Sequence, residues 1–210
     1  MKSVRLFFSK KGRMRFISHL DMNRFFTRVL RKSGLPIWYT EGFNPHPYLT
    51  FALPLSLGFE SDYEILDFKL VDDFFPLENV KKQLVEVLPK YIEIIKVAEP
   101  VMKSGKIAFA GFRLGFDSES QANNFCEFLN CGNVVINKKT KRGEVKVEEV
   151  SSKILSVAVD GKDVDLILPA GNDNLNPSLL VASFNADRDN EAFVSYTRTS
   201  LYDADNNLFE

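Results

Sequence analysis

The chain has 210 residues, of which 45% are hydrophobic and 26% charged, and a formal net charge of −1. That length buries a real core as one domain or two small ones, and the composition excludes wholesale disorder and collagen-like repeats. No apolar run approaches the roughly 18 residues needed to span a bilayer, and the first ten residues lack a signal-peptide core, so a cytoplasmic location and no membrane partner are expected.

Residues 4–17 (VRLFFSKKGRMRFI) predict either two short strands around Lys10-Lys11-Gly12 or one bulged strand. Ser18-His19-Leu20-Asp21 has the spacing of a capping box, so a helix follows. At 100° per residue, Met22, Phe25, Phe26, Val29 and Leu30 share one face, and Arg24, Arg28 and Arg31 form a stripe opposite. Gly34 caps that helix and Pro36 stops it. Ile37-Trp38-Tyr39 reads as a strand entering Glu41-Gly42-Phe43-Asn44-Pro45-His46-Pro47-Tyr48, where each proline fixes its own φ and holds Asn44 and His46 extended. Residues 49–57 read as an extended segment interrupted by Pro54, 64–70 as a strand, 76–90 as a helix and 91–97 as a strand, giving βαββαβ order.

The order then begins again. Phe109–Phe116 predicts a strand, Ser118 and Gln121 open a helix that buries Ala122, Phe125, Cys126 and Leu129, and two or three strands occupy 133–168. Asn176 and Pro177 open a short helix, and 193–202 closes the chain as a strand. The predicted fold is α+β: two tandem ferredoxin-like units with antiparallel sheets and helices on one face, a basic unit over 1–102 and an acidic one over 103–210. No sequence repeat is evident, so the duplication is read from element order alone.

Charge is unevenly divided. Residues 1–58 hold ten Lys and Arg against two acids, Asp21 and Glu41, for a net of +8, which leaves −9 for the remainder. An anionic partner for the first part follows. Arg24, Arg28 and Arg31, joined by Lys10, Lys11, Arg13 and Arg15, suit a phosphate backbone, and Trp38, Tyr39, Phe43 and Tyr48 offer faces on which unpaired bases stack. The plainer alternative is a solvated helix face with aromatics in the core. A second basic cluster, Lys138–Gly143, sits at a probable hairpin turn, where lysine also serves solubility.

The two histidines, His19 and His46, are the side chains whose ordinary pKa lies near neutrality. If their strands converge, the imidazoles suit acid–base chemistry on a phosphodiester or nucleobase. Otherwise His19 bonds to Asp21 or a backbone carbonyl, and His46 packs between its prolines. Cys126 and Cys131 have no partner cysteines and read as core or surface thiols, so no metal site is expected. Walker, dinucleotide, zinc-protease and nucleophile-elbow motifs are all missing from the sequence.

RMRFISHLDMNR (13–24), RKSGLPIWYTEGFNPHP (31–47) and FALPLSLGFES (51–61) resemble the radical-SAM-linked family, a bacterial domain of unknown function found free-standing, as expected here, or fused to radical SAM proteins. The resemblance implies a radical SAM partner that would carry the iron–sulfur cluster and S-adenosylmethionine, with no cofactor bound by this chain. The polar motif positions it marks are Arg15, Ser18, His19, Asp21, Arg24, Asn44, His46, Glu60 and Ser61. The leading functional expectation is an RNA-binding accessory protein that presents tRNA or rRNA to that enzyme. Arg13, Arg15, Arg24, Arg28 and Arg31 would hold phosphate, Asn44 and His46 would read a base, and Trp38 or Phe43 would stack on it. A metal-independent RNA-processing enzyme using His19 and His46, and a protein-docking partner without RNA contact, are the rivals.

Overall fold

The computed structural model describes residues 1–139, 143–186 and 191–210, and divides into two compact units. The first comprises Met1–Lys106 with Phe209–Glu210, and the second Ile107–Leu208. Among the described residues no helix is long and apolar enough to cross a membrane.

In the first unit the strands are β1 (Lys2–Lys10), β2 (Leu49–Phe51), β3 (Glu60–Leu70) and β4 (Ile92–Ala98), and the helices are α1 (His19–Lys32) and α2 (Leu77–Val85). The sheet runs β4-β1-β3-β2 and every pairing is antiparallel, the order that βαββαβ connectivity produces in a ferredoxin-like fold. Val4, Leu6 and Phe8 of β1 alternate onto the helix side, where they meet Met22, Phe26, Val29 and Leu30 of α1 and Val80 and Leu84 of α2. Phe8 and Phe26 pack with ring centroids 5.0 Å apart.

Local chemistry differs from expectation at several points here, and of the extended segment read over 49–57 only Leu49–Phe51 forms a strand. Of the two readings of residues 4–17 the single bulged strand holds, with a register slip between Phe8 and Lys10, but it is shorter than expected: Gly12 takes φ +57 and a 3-10 turn over Gly12–Phe16 follows. A side chain at Gly12 would lie 2.8 Å from the Tyr91 ring, so the turn requires glycine. The helix predicted over 76–90 stops at Val85, consistent with Pro89 disfavouring α geometry in the residue before it. Ile37–Tyr39 is not a continuous strand: Ile37 bridges Leu70 and Trp38 N–H donates to the Lys69 carbonyl at 2.8 Å, after which the chain leaves the sheet.

The second unit holds β5 (Phe109–Phe116), α3 (Glu119–Asn130), β6 (Val135–Lys139), β7 (Val145–Glu149), β8 (Ser156–Asp160), β9 (Asp163–Pro169), α4 (Pro177–Asn185) and β10 (Val194–Tyr202). Its sheet order, β10-β5-β9-β8, repeats that of the first unit, again fully antiparallel, and β6 and β7 form a separate hairpin inserted after α3. Among the described residues, four strands thus occupy the segment in which two or three were expected. Of the basic cluster at 138–143, Thr140–Arg142 lie outside the described residues. Cys126 is half-buried and Cys131 exposed, and both are free thiols.

The repeat missed in the sequence is visible in side-chain geometry. Arg5 on β1 faces Asp67 on β3 and makes two parallel bonds, Nε to Oδ1 and Nη2 to Oδ2, each 2.7 Å. Arg113 on β5 faces Asp165 on β9 in the same way, at 2.8 and 2.7 Å. Three residues after each arginine stands a phenylalanine, Phe8 or Phe116, packed on a helix phenylalanine, Phe26 or Phe125, at 5.0 and 5.1 Å. Each of those helices opens with a serine, Ser18 or Ser118, whose hydroxyl accepts the backbone N–H three residues on.

The two forks differ in burial. Arg5 is 1% exposed and also donates to the Glu210 carbonyl at 2.8 Å beneath the Phe209 ring, whereas the Arg113 side chain is 48% exposed. Asp67→Ala therefore strands a buried guanidinium and should cost about 3–5 kcal/mol. Asp165→Ala should cost at most about 1 kcal/mol. Urea denaturation read by circular dichroism, with the single tryptophan, Trp38, reporting on the first unit, checks the contrast; equal losses would contradict it.

Candidate functional site

Residues 39–48 leave and rejoin the sheet edge without shifting its register. Ile37 bridges Leu70 and Leu49 pairs with Phe68, so the whole Tyr39–Tyr48 loop is extruded from one point on β3's edge. Its base is closed by a Tyr39–Pro47 bridge, by Tyr48 N–H to the Trp38 carbonyl at 3.2 Å, and by Thr40 N–H to the His46 carbonyl at 2.9 Å. Within it His46 Nδ1 donates to the Asn44 carbonyl at 3.1 Å, with Thr40 Oγ1 at 3.2 Å, and this fixes the ring and leaves Nε2 outward. The density of proline and glycine in this stretch thus builds a rigid projecting loop.

That loop borders a cleft of about 530 Å³ whose opposite wall is α1. Asn23, Arg24, Thr27, Arg28 and Arg31 line it from the helix, and His46, Pro47 and Leu49 from the loop and β2, with Leu20 adding apolar surface. Arg24 is tied to Asp21 at 3.1 Å, an exposed pair of small energetic weight. Arg28 and Arg31 are exposed and make no ion pair with an acid among the described residues. The Asp21 carboxyl is held below its ordinary range, chiefly by the Ser18 hydroxyl and then by Arg24.

Other predicted site residues fall elsewhere. Arg13 is exposed in the 3-10 turn and Arg15 lies over the Phe16 ring at 4.7 Å, so neither lines the cleft. Lys10 and Lys11 do not extend the basic surface: Lys10 is 2% exposed and donates to the Ile17 carbonyl at 3.4 Å, and Lys11 pairs with Asp62. Trp38 is half-buried, edge-on to Tyr48 at 5.8 Å with the Lys69 ammonium 5.3 Å above it, so its ring is already occupied. Phe43 stands fully exposed at the loop tip, and Tyr39 is exposed at the loop's base. Asn44 is exposed beside it.

Ser18, Glu60 and Ser61 serve the backbone. Ser18 caps α1, Glu60 Oε1 accepts the Gly12 N–H at 2.9 Å, and buried Ser61 accepts the Tyr63 N–H at 3.1 Å. Gly58 N–H donates to the Arg15 carbonyl at 2.8 Å. The first and third motif stretches therefore dock on each other, a packing role that composition does not reveal.

The two imidazoles are not hydrogen-bonded to each other. His19 is half-buried, edge-on to Phe51 at 5.3 Å, with Asn23 Nδ2 at 3.1 Å from Nε2. Burial pushes its pKa below the ordinary 6.5, the Glu64 carboxylate opposes that shift and the Lys10 ammonium adds to it. Sequence reasoning missed Lys10 and Glu64 as an interior charged group; Glu64 is 3% exposed, and its place in an alternating strand resembled any solvent-side residue.

Because folding favours neutral His19, its contribution to stability is complete above pH 6.5 and is lost as pH falls through the lowered folded-state value. Wild type should therefore lose more melting temperature between pH 7 and pH 5 than His19→Asn, which does not titrate. NMR titration of the ring should give a midpoint below 6.5. A midpoint above 6.5, or parallel losses, would show that burial does not govern this group.

No curated protein matches the chain. Among solved structures, a chain of a "Cbf5-Nop10-Gar1 Complex" aligns with a TM-score of 0.45 and 12% identity, over 93% of this chain and 48% of that one. The chain thus spans about half the length of that structural neighbour. A bacterial family profile, described as "Uncharacterized protein conserved in bacteria (DUF2344)", matches residues 3–177. That match takes in all three N-terminal motifs and most of the second unit, and the chain belongs to the DUF2344 family.

Proposed function

We propose that the first unit binds RNA through the cleft between α1 and the Tyr39–Tyr48 loop. One observation carries this reading: Arg24, Arg28 and Arg31 line the same cleft as His46, together with the polar Asn23 and Thr27. Guanidinium groups aligned along a helix suit the spacing and charge of successive phosphates, and each contact releases condensed counterions. His46 Nε2 and the Asn44 amide supply hydrogen-bonding groups on the loop, and Phe43 supplies an uncovered ring for a base. An exposed aromatic on a projecting loop favours unpaired bases over duplex, whose stacked bases offer no free face.

Association with a radical SAM enzyme is supported by the motif resemblance, and tRNA or rRNA as the bound species is part of this proposal. In that arrangement this chain holds RNA and the partner enzyme supplies the cluster and S-adenosylmethionine. Acid–base cleavage by paired histidines has weaker support, since His19 Nε2 is held by Asn23 and His46 Nδ1 by its own loop.

Arg28→Glu and Arg31→Glu should each weaken binding of short single-stranded RNA by about tenfold or more and lower the slope of log K against log salt by roughly one. Gel-shift titrations at several salt concentrations give both quantities. Unchanged affinity and slope would make the arginine stripe a solvated face, and a radical SAM protein co-purifying after nuclease treatment would then favour docking without RNA.

A further inference from the structure

His19, Lys10, Glu64 and Ser61 gather at one end of β1 and play no part in the arginine cleft as described. Lys10, Glu64 and Ser61 are buried, and His19 is half-buried at the first position of α1. A buried charge carries a desolvation cost, and Lys10 and Glu64 add that cost beyond the Arg5 fork that organises the sheet. The second unit buries Arg198 but, among its described residues, holds no buried counterpart of Lys10 or Glu64 at the matching positions. Glu64 pairs in register with Phe8; the corresponding partner of Phe116 is Lys162, which lies exposed at a turn, and the residue after the Ser118 cap is an exposed glutamate, Glu119.

The ladder is also disturbed at this end. Register slips between Phe8 and Lys10 on the β3 side and between Phe7 and Phe8 on the β4 side, and such bulges re-aim side chains beside functional sites.

Hydrogen bonding defines the state of the His19 ring. Asn23 Nδ2 donates one hydrogen to the His19 carbonyl at 3.0 Å, which orients the amide, and its other hydrogen faces His19 Nε2 at 3.1 Å. An amide nitrogen can only donate, so Nε2 carries the lone pair and the neutral ring's hydrogen sits on Nδ1. The positive end of the α1 dipole further disfavours the cation. Among the described residues Nδ1 has no hydrogen-bond partner. Asn23 and Leu20, which flank His19 on the helix, both line the cleft.

We propose that His19 is a ligand-binding residue that presents its Nδ1–H to an acceptor oxygen of the bound RNA, either a base carbonyl or a phosphate oxygen. The inference rests on the RNA reading of the cleft and adds a polar contact beside the phosphate track. The same geometry removes His19 as a general base, because its one lone pair is engaged by Asn23.

Two measurements test it. Long-range ¹H–¹⁵N spectra of the free protein at pH 7.5 should show His19 protonated on Nδ1 alone; an Nε2–H ring or an imidazolium overturns the proposal. Binding of oligo(U), oligo(A) and competing inorganic phosphate is then compared for wild type, His19→Asn and His19→Gln, each checked for folding by circular dichroism. Asparagine places an amide N–H near Nδ1 and should bind within about threefold of wild type, while glutamine places it near Nε2 and should bind roughly tenfold more weakly.

A loss confined to oligo(U) identifies a base carbonyl, which adenine lacks. Equal loss on both oligomers with weakened phosphate competition identifies a phosphate oxygen. Equal effects of the two substitutions, or none, overturn the proposal. If Arg28→Glu abolishes binding but His19→Gln leaves it intact, this inference alone fails; if wild type binds neither oligomer, the cleft reading fails with it.

Discussion

The Arg5–Asp67 fork is the interaction around which the first unit is organised. β1 is buried along most of its length, so the cation at Arg5 must be neutralised and hydrogen-bonded inside the protein. A planar guanidinium meeting a carboxylate through two bonds allows one geometry, and that geometry places Arg5 directly opposite Asp67 on β3. A one-residue slip would turn Val4, Leu6 and Phe8 away from the helices, so the fork and the apolar alternation enforce the same register. Once β1 and β3 are locked, the 3-10 turn at the end of β1 and the return into β3 are adjacent. Glu60, Gly58 and Lys10 can then bond across that junction, and α1 starts from it.

The second unit reproduces the fork, the Phe–Phe contact and the serine cap, yet among its described residues it carries none of the projecting loop, the arginine stripe or the interior Lys10–Glu64 group. What recurs is what the fold needs. What occurs once is what the fold tolerates, and those unrepeated features all adjoin α1. The division separates frame from function without recourse to relatives, because both units obey the same packing rules within one chain.

Much of the architecture was legible from periodicity. The cap at Ser18, the buried stripe of α1, the exact span of β5 and the Asn176–Pro177 helix start all follow from local rules, and the structure has them. The extruded loop was legible only as rigidity: prolines show that residues 41–48 are fixed, while the register that ejects them depends on β3, which is distant in sequence. Lys10 and Lys11 read as surface cations because neighbouring lysines usually are; only the bulged end of β1 takes one inside. The internal repeat escaped notice because it rests on a few positions, Arg5-Leu6 with Asp67 and Arg113-Leu114 with Asp165, separated by segments of different length.

The arginine stripe itself bears on function through its cost. Arg24 and Arg28 are four apart and Arg28 and Arg31 three apart, so each pair repels along the helix surface by about 0.2–0.5 kcal/mol. Of the three, only Arg31, in the last turn, gains from the negative end of the helix dipole, and Asp21 bonds Arg24 while attracting Arg28 only at longer range. Arg28 lies mid-helix without an ion pair among the described residues, facing a cleft whose far wall carries His46. An anion in that cleft would be attracted to all three guanidinium groups at once and would convert a mutual repulsion into a shared contact. The helix is therefore more comfortable bound than free, which is the electrostatic condition for a polyanion to dock there and for the affinity to fall steeply as salt screens it.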